Sequence, residues 1–242
     1  MDAPLPAGEP EPEAEPAGPS EDAAADAELL ADPRALTILT TEHWSLLSAR
    51  GLAYNESFTR ASMYLAFISM SFVGLALLAP SGGFDTRFLS IAALVLGFDF
   101  VIGMLTLMRM VFAALEDARA TRGMNRIRNG YLRIAPSVER FFVTAATDDI
   151  EGLVRSQSLG GSREAGGFAY SISTSAAMIG LITTLIGGTL AVTIALIFEV
   201  AVGVALLTGV VVAVAFIVAS AWVSFSYVFR EINRYESRFP GD

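Results

Sequence analysis

Between Glu164 and Arg230 the chain runs for 65 residues with a single charged side chain, Glu199. A helix needs roughly 20 apolar residues to cross a bilayer. The stretch is therefore too long for one crossing and too apolar for water, so it must fold back within the membrane. A shorter version of the pattern lies upstream, where apolar blocks 61–79 and 88–108 flank the small turn Pro80–Arg87. The expected fold is all-α: a polytopic membrane protein of two transmembrane hairpins, four helices in all, with cytosolic helical extensions.

An apolar fraction of 53% and a mean hydropathy of +0.54 fit that class. Charge is segregated along the chain. Residues 1–32 hold ten acidic side chains and no basic one, whereas residues 33–242 hold sixteen arginines against fifteen acids. The net charge of −9 thus belongs to the tail and not to the body, so the low pI does not point to a site for basic partners. Lysine is absent. Guanidinium groups suit phosphates and carboxylates, but a GC-rich genome, which favours Arg, Ala and Gly codons together, explains the bias without a site. Cysteine is absent too, which excludes disulfides, thiolate metal sites and cysteine nucleophiles. His43 is the one histidine, so a histidine-built zinc or di-iron site within one chain is excluded. No cofactor is expected. The N-terminus lacks the basic segment and apolar core of a cleavable signal peptide.

Residues 1–33 contain seven of the ten prolines and few large apolar side chains, the composition of a disordered acidic tail. Asp32 as N-cap and Pro33 at the first position open an amphipathic helix over 34–58. Its apolar face is Leu36, Leu39, His43, Leu47, Tyr54 and Phe58, and it is expected to lie along the interface or to pack on cytoplasmic helices. The first hairpin, 59–109, crosses over about 60–79, ends at Pro80 and Gly82-Gly83, and returns from Arg87 to about Met108. The apolar pattern continues into a polar helix reaching Arg128, with a break expected at Asn129-Gly130. The rest of the connection, 110–167, reads as a short helix from Pro136 and then a loop over 148–167. The second hairpin, 168–229, crosses over 170–198 and 201–229 with its turn near Glu199, and a tail, 230–242, follows. A rival parsing turns at Gly187-Gly188 and Thr208-Gly209 and makes five crossings. The positive-inside rule favours four, because Arg87 alone then faces outward, and both termini are cytoplasmic.

Asp99 lies about eleven residues into the second crossing, roughly 16 Å deep and near the bilayer centre. A carboxylate there is costly and should face the bundle interior, with Ser69, Thr183 or Thr184 as hydroxyl partners. It is either a proton or cation relay or a hydrogen-bonded contact between helices. Glu199 marks a hairpin tip at water. Ala201, Ala205, Gly209 and Ala213 form a ridge of small residues that lets helix backbones approach, matched by Ala176, Gly180, Thr184 and Gly188. Arg119, Arg122, Arg126, Arg128 and Arg133 follow the membrane edge, where anionic lipid headgroups are the expected contact. Nucleic acid is not expected, because no stacking aromatics or Gly-rich phosphate loop accompany them. Catalysis needs a nucleophile with an oriented base, and no such pattern is present, so the chain reads as a non-enzyme.

The stretch Thr40-Thr41-Glu42-His43-Trp44-Ser45-Leu46-Leu47, leading through Arg50, Tyr54 and Arg60, resembles the uncharacterised four-helix integral membrane proteins of GC-rich bacteria. So does Asn125-Arg126-Ile127-Arg128-Asn129-Gly130-Tyr131, ending at Ala135-Pro136. The resemblance spans about residues 34–240 and implies a bacterial cytoplasmic-membrane protein. The helix-then-hairpin start is also similar in layout to SLATT-type membrane effectors, which usually have one hairpin where this chain has two. No catalytic residue is carried over. The expected role is a membrane module, oligomeric, that couples cytosolic helices to partners or membrane state; the alternative is a pore or transporter using Asp99.

Overall fold

Two helices of 48 and 49 residues, far longer than a bilayer requires, set the architecture. They come from a computed structural model that describes residues 21–82, 85–157 and 175–241. The tail before Glu21, the loop 158–167 and the start of the third crossing lie outside those residues. In order the elements are α1 (Glu21–Ala31), α2 (Ala35–Gly82), α3 (Thr86–Ile134), a 3-10 helix (Pro136–Phe141), α4 (Ile150–Gln157), α5 (Ser175–Ile197) and α6 (Val202–Asn233). All described elements are helical, and four of them, α2, α3, α5 and α6, are long and apolar enough to cross a membrane.

The helix expected over 34–58 is not a separate element, because it runs unbroken into the first crossing as α2. Asp32 and Pro33 lie in the turn before it and not at its cap: the Asp32 carboxylate accepts the Arg34 N–H at 2.8 Å, and the helix begins at Ala35. The second crossing likewise continues to Ile134. Asn129-Gly130 does not break it; instead Gly130 gives room to α2, a Cβ there lying 3.1 Å from Leu39 Cδ1. Asp85 caps α3 by accepting the Phe88 N–H, and Pro136 ends it, since the residue before a proline avoids the helical region.

α2 and α3 pair antiparallel over most of their length. Ser71 meets Asp99, Tyr64 meets Gly103, Arg50 meets Asp117, Leu46 meets Gly123 and Leu39 meets Gly130. Numbers fall along α3 in step as they rise along α2, so the two form one continuous antiparallel pair. α3 also packs on α5, and α5 on α6. Edge-on ring pairs Phe100–Phe216 and Phe112–Tyr227 join α3 to α6. The shared core is Tyr64, Ile68, Leu96, Ile179 and Ile186, while most other large apolar side chains of these helices face outward, as a lipid-solvated bundle requires.

Two expectations change in the polar parts. Residues 21–31, placed in the disordered tail, form α1: their alanine-rich sequence favours a helix, and Asp26 is held by Arg133 and Arg238. Residues 150–157, placed in a loop, form α4, capped by Asp149, which accepts the Gly152 N–H at 2.7 Å.

The last turn falls at Glu199, with φ of 56°. The Val200 N–H reaches the Ala195 carbonyl and the Glu199 N–H reaches that of Leu196, the two bonds of a Schellman cap. The glycines of the five-crossing parsing sit inside helices instead. Gly188 and Gly209 face each other, and a Cβ on Gly209 would come within 2.8 Å of the Gly188 carbonyl oxygen and closer still to Val192. Ala205 is fully buried beside them, Ala213 borders Gly188, and Ala201 lies exposed at the helix start.

Gly209→Val should therefore force α5 and α6 apart and cost about 1–3 kcal/mol. Gly203→Val, at a site with open space around it, should cost far less. Thermal melts of both variants in detergent check this, and equal midpoints would refute it.

Candidate functional site

Asp99 lies on the buried stripe of α3 and is fully inaccessible. Its partner is Ser71, whose hydroxyl donates to Oδ1 at 2.9 Å. Ser69 does not reach it; that hydroxyl is on the exposed side of α2 and donates to the Leu65 carbonyl. The other oxygen, Oδ2, is buried without a hydrogen-bond partner among the described residues. A carboxyl oxygen left so in an apolar interior is costly, and a proton or a donor is what it lacks.

One turn along α3 from Asp99, the Tyr64 hydroxyl and Thr183 Oγ1 lie 3.1 Å apart. They meet above Gly103, where a Cβ would lie 2.2 Å from the Tyr64 oxygen and 2.5 Å from that of Thr183. Glycine is thus the residue that lets α2, α3 and α5 share a polar contact. Thr183 donates onward to the Ile179 carbonyl and Thr184 to that of Gly180. These hydroxyls satisfy themselves within α5, so of the four residues read as one intramembrane site, Asp99 and Thr183 lie on the shared interior, Thr184 is satisfied locally and Ser69 points away.

A second polar centre lies at the arginine-rich end. Asp148 is fully buried and accepts from Arg126 Nε, from the Ser237 hydroxyl at 2.6 Å, from the Tyr235 hydroxyl at 3.3 Å, and from the backbone N–H groups of Phe239 at 2.8 Å and Arg238 at 3.2 Å. Burial pushes this carboxyl up, but the bonds from Ser237, Arg126, Phe239 and Arg238 outweigh it and hold it at about 2. Asp149 is also held below the ordinary range: burial works against it, and the N–H groups of Gly152 and Gly241 win. The tail after α6 is thereby clasped to the connection between α3 and α4.

The five arginines read as lipid contacts are engaged inside the chain. Arg119 pairs with Glu231 and Arg126 with Asp148. Arg122 lies 4.3 Å above the Tyr235 ring, with Arg126 at 4.9 Å from the same ring. Arg128 donates to Asn125 at 2.6 Å, and Arg133 pairs with Asp26 at 3.1 Å. Asn125 is fully buried and fully used, donating to the Thr147 and Gly152 carbonyls and accepting from Arg128 and Ser156. Arg50 and Gln157 close the end by holding Asp117. Among the described residues, no group of three acidic or histidine side chains converges on a metal position.

Sequence reasoning missed Ser71, Tyr64, Asn125 and Asp148. Ser57, Ala61, Tyr64, Ile68 and Ser71 recur at helical spacing, a periodicity that places Ser71 and Tyr64 on the buried stripe of α2. Asp148 has no such local signal, because its donors come from 22 to 91 residues away. No protein-family model, no curated protein and no solved structure matches the chain.

The clasp predicts an acid-sensitive tail. The folded Asp148 sits near 2 and the unfolded one near 3.9, so between those values the unfolded state binds more protons. Its contribution, about 2 kcal/mol, is complete above about pH 4 and lost as pH falls through about 2. Since the chain has no cysteine, Glu236→Cys takes a single spin label. The label should be immobile at neutral pH, become mobile across that acid window, and be mobile at pH 7 in Asp148→Asn. An unchanged neutral spectrum in that variant would count against the clasp.

Proposed function

We propose that this chain is a non-enzymatic module of the bacterial inner membrane, multi-pass with both termini cytoplasmic, that couples its cytosolic helices to the state of the membrane or to partners. What carries the reading is continuity. α2 and α3 pass without a break from the apolar span into the arginine-rich end, and there the Asp148 clasp ties in the tail of α6. A displacement of the membrane part is transmitted to the polar part through unbroken helix and buried hydrogen bonds, with no flexible joint in α2 or α3. The proposed orientation follows arginine placement, since Arg87 alone belongs to the opposite end.

A second reading, conduction of protons or cations, is favoured by one observation: Asp99 Oδ2 is buried and without a hydrogen-bond donor among the described residues. Buried Ser57, Tyr64, Thr106 and Thr183 share the interior stripes of α2, α3 and α5 with it.

Purified protein in liposomes containing a pH-sensitive dye separates the two. The module reading expects no flux above empty liposomes under an imposed gradient. Flux that Asp99→Asn abolishes would replace it with conduction. Flux that survives Asp99→Asn would remove the relay role from Asp99 and still overturn the leading proposal. A cytoplasm-dependent reporter fused after Asp242 should be active; a silent reporter on well-expressed protein would reverse the assigned orientation.

A further inference from the structure

We infer that the cavity between α3 and the end of α6 at the arginine-rich end binds an anionic phosphate group, that of a lipid headgroup or of free phosphate. The cavity is about 130 Å³ and is lined by Arg119, Arg122 and Arg234 against the single carboxylate of Glu231, with Leu115 and Ala118 as its apolar wall. Glu231 pairs with Arg119, so the lining keeps an excess of two positive charges. A guanidinium presents its N–H groups in one plane and meets phosphate oxygens in pairs.

The three arginines differ in freedom. Arg122 is 4% exposed and stacked on the Tyr235 ring, which the Tyr235–Asp148 hydrogen bond fixes in turn. Its charge is therefore placed before any ligand arrives. Arg119 and Arg234 are exposed and can fold over an anion. Arg234 has no side-chain ion pair among the described residues, so it is the cation with least work in the fold.

Depth connects the cavity to lipid. The Phe112–Tyr227 ring pair lies just before it, and Trp222 and Phe225 are 68% and 69% exposed on α6. Outward aromatics of this kind sit at headgroup level. Glu231 is four residues beyond Tyr227, roughly 6 Å along the helix. The apolar wall of Leu115 and Ala118 lies on the membrane side of the arginines, where a lipid's glycerol and first acyl carbons would rest. The inference rests on reading the chain as a membrane protein, while the site itself is testable in detergent.

The full chain in nonionic detergent is titrated with phosphatidylglycerol, with phosphatidylcholine of the same acyl chains, and with inorganic phosphate, followed by native mass spectrometry and thermal midpoint. Phosphatidylglycerol should bind as one saturable equivalent and raise the midpoint, with phosphatidylcholine at least about tenfold weaker. Arg234→Gln should weaken phosphatidylglycerol about fivefold, the factor matching about 1 kcal/mol per basic residue, and leave phosphatidylcholine unchanged. Arg119→Gln is the second variant, and Arg140→Gln, outside the cavity, should change nothing. Competition by millimolar inorganic phosphate assigns the site to free phosphate, and its absence assigns it to the lipid headgroup. Equal binding of the two lipids, or full phosphatidylglycerol affinity in both cavity variants, overturns the site. Failure of the membrane reading is separate: it would appear as protein in the soluble fraction of cells, whatever the lipid titration gives.

Discussion

A carboxylate taken out of water needs its lone pairs filled, and Asp148 fills them from two distant parts of the chain. Arg126 comes from α3, while Tyr235, Ser237, Arg238 and Phe239 come from the segment after α6. Removing one side of such a buried arrangement typically costs about 3–5 kcal/mol, more than most single contacts in the chain. The dependence runs outward from there. Tyr235, fixed by Asp148, carries the guanidinium of Arg122, and Arg238 and Arg133 hold Asp26 of α1. Asn125 organises the turn before α4 from the other side. At the polar end Arg119, Arg122, Arg126, Arg128 and Arg133 each have a neighbour, and Asp148 stands at the centre of the arrangement.

The apolar part solves the opposite problem. An apolar surrounding offers no acceptors, so hydroxyls there donate back to carbonyls of their own helix, as Thr183, Thr184, Thr189 and Thr193 do. Asp99 departs from that rule. It receives one bond from Ser71 and, among the described residues, none at its other oxygen, where Asp148 collects five donors. The two acids are equally buried, and the difference between them is the supply of backbone N–H groups. A tail without helical bonding can lend its amides to Asp148; α2, α3 and α5 have theirs committed.

Apolar block lengths made the four long helices legible, and arginine placement located the turn at Glu199. Of the small-residue ridge, Gly209 and Ala213 meet Gly188, while Ala201 lies exposed before the helix. Two kinds of feature were hidden. Asn129-Gly130 reads locally as a stop, yet Leu39 of α2 packs on Gly130 and the helix continues, a tertiary contact overriding propensity. The acids of the polar end look like solvated charge in sequence, because their partners are far away along the chain. Ser71 was missed in favour of Ser69 by a finer error: two residues on a helix turn a side chain by about 200°, and only the buried stripe of α2 shows which serine faces Asp99.

The unbroken length of α2 and α3 has a mechanical meaning. At 1.5 Å per residue α2 is roughly 72 Å long, while a hydrocarbon core is only about 30 Å thick. In the proposed membrane placement about half of the rod would stand clear of the acyl chains, paired along its side with α3, which is braced through Asp117, Asn125 and Asp148. Transmembrane helices meet a change in bilayer thickness by tilting. A tilt of about 10° in a stiff rod swings the end of an arm of about 36 Å by about 6 Å. In the proposed membrane placement such a pair acts as a lever with one arm in lipid and the other carrying the arginines, so a thickness change too small to alter any single contact would become a displacement about as large as one turn of helix.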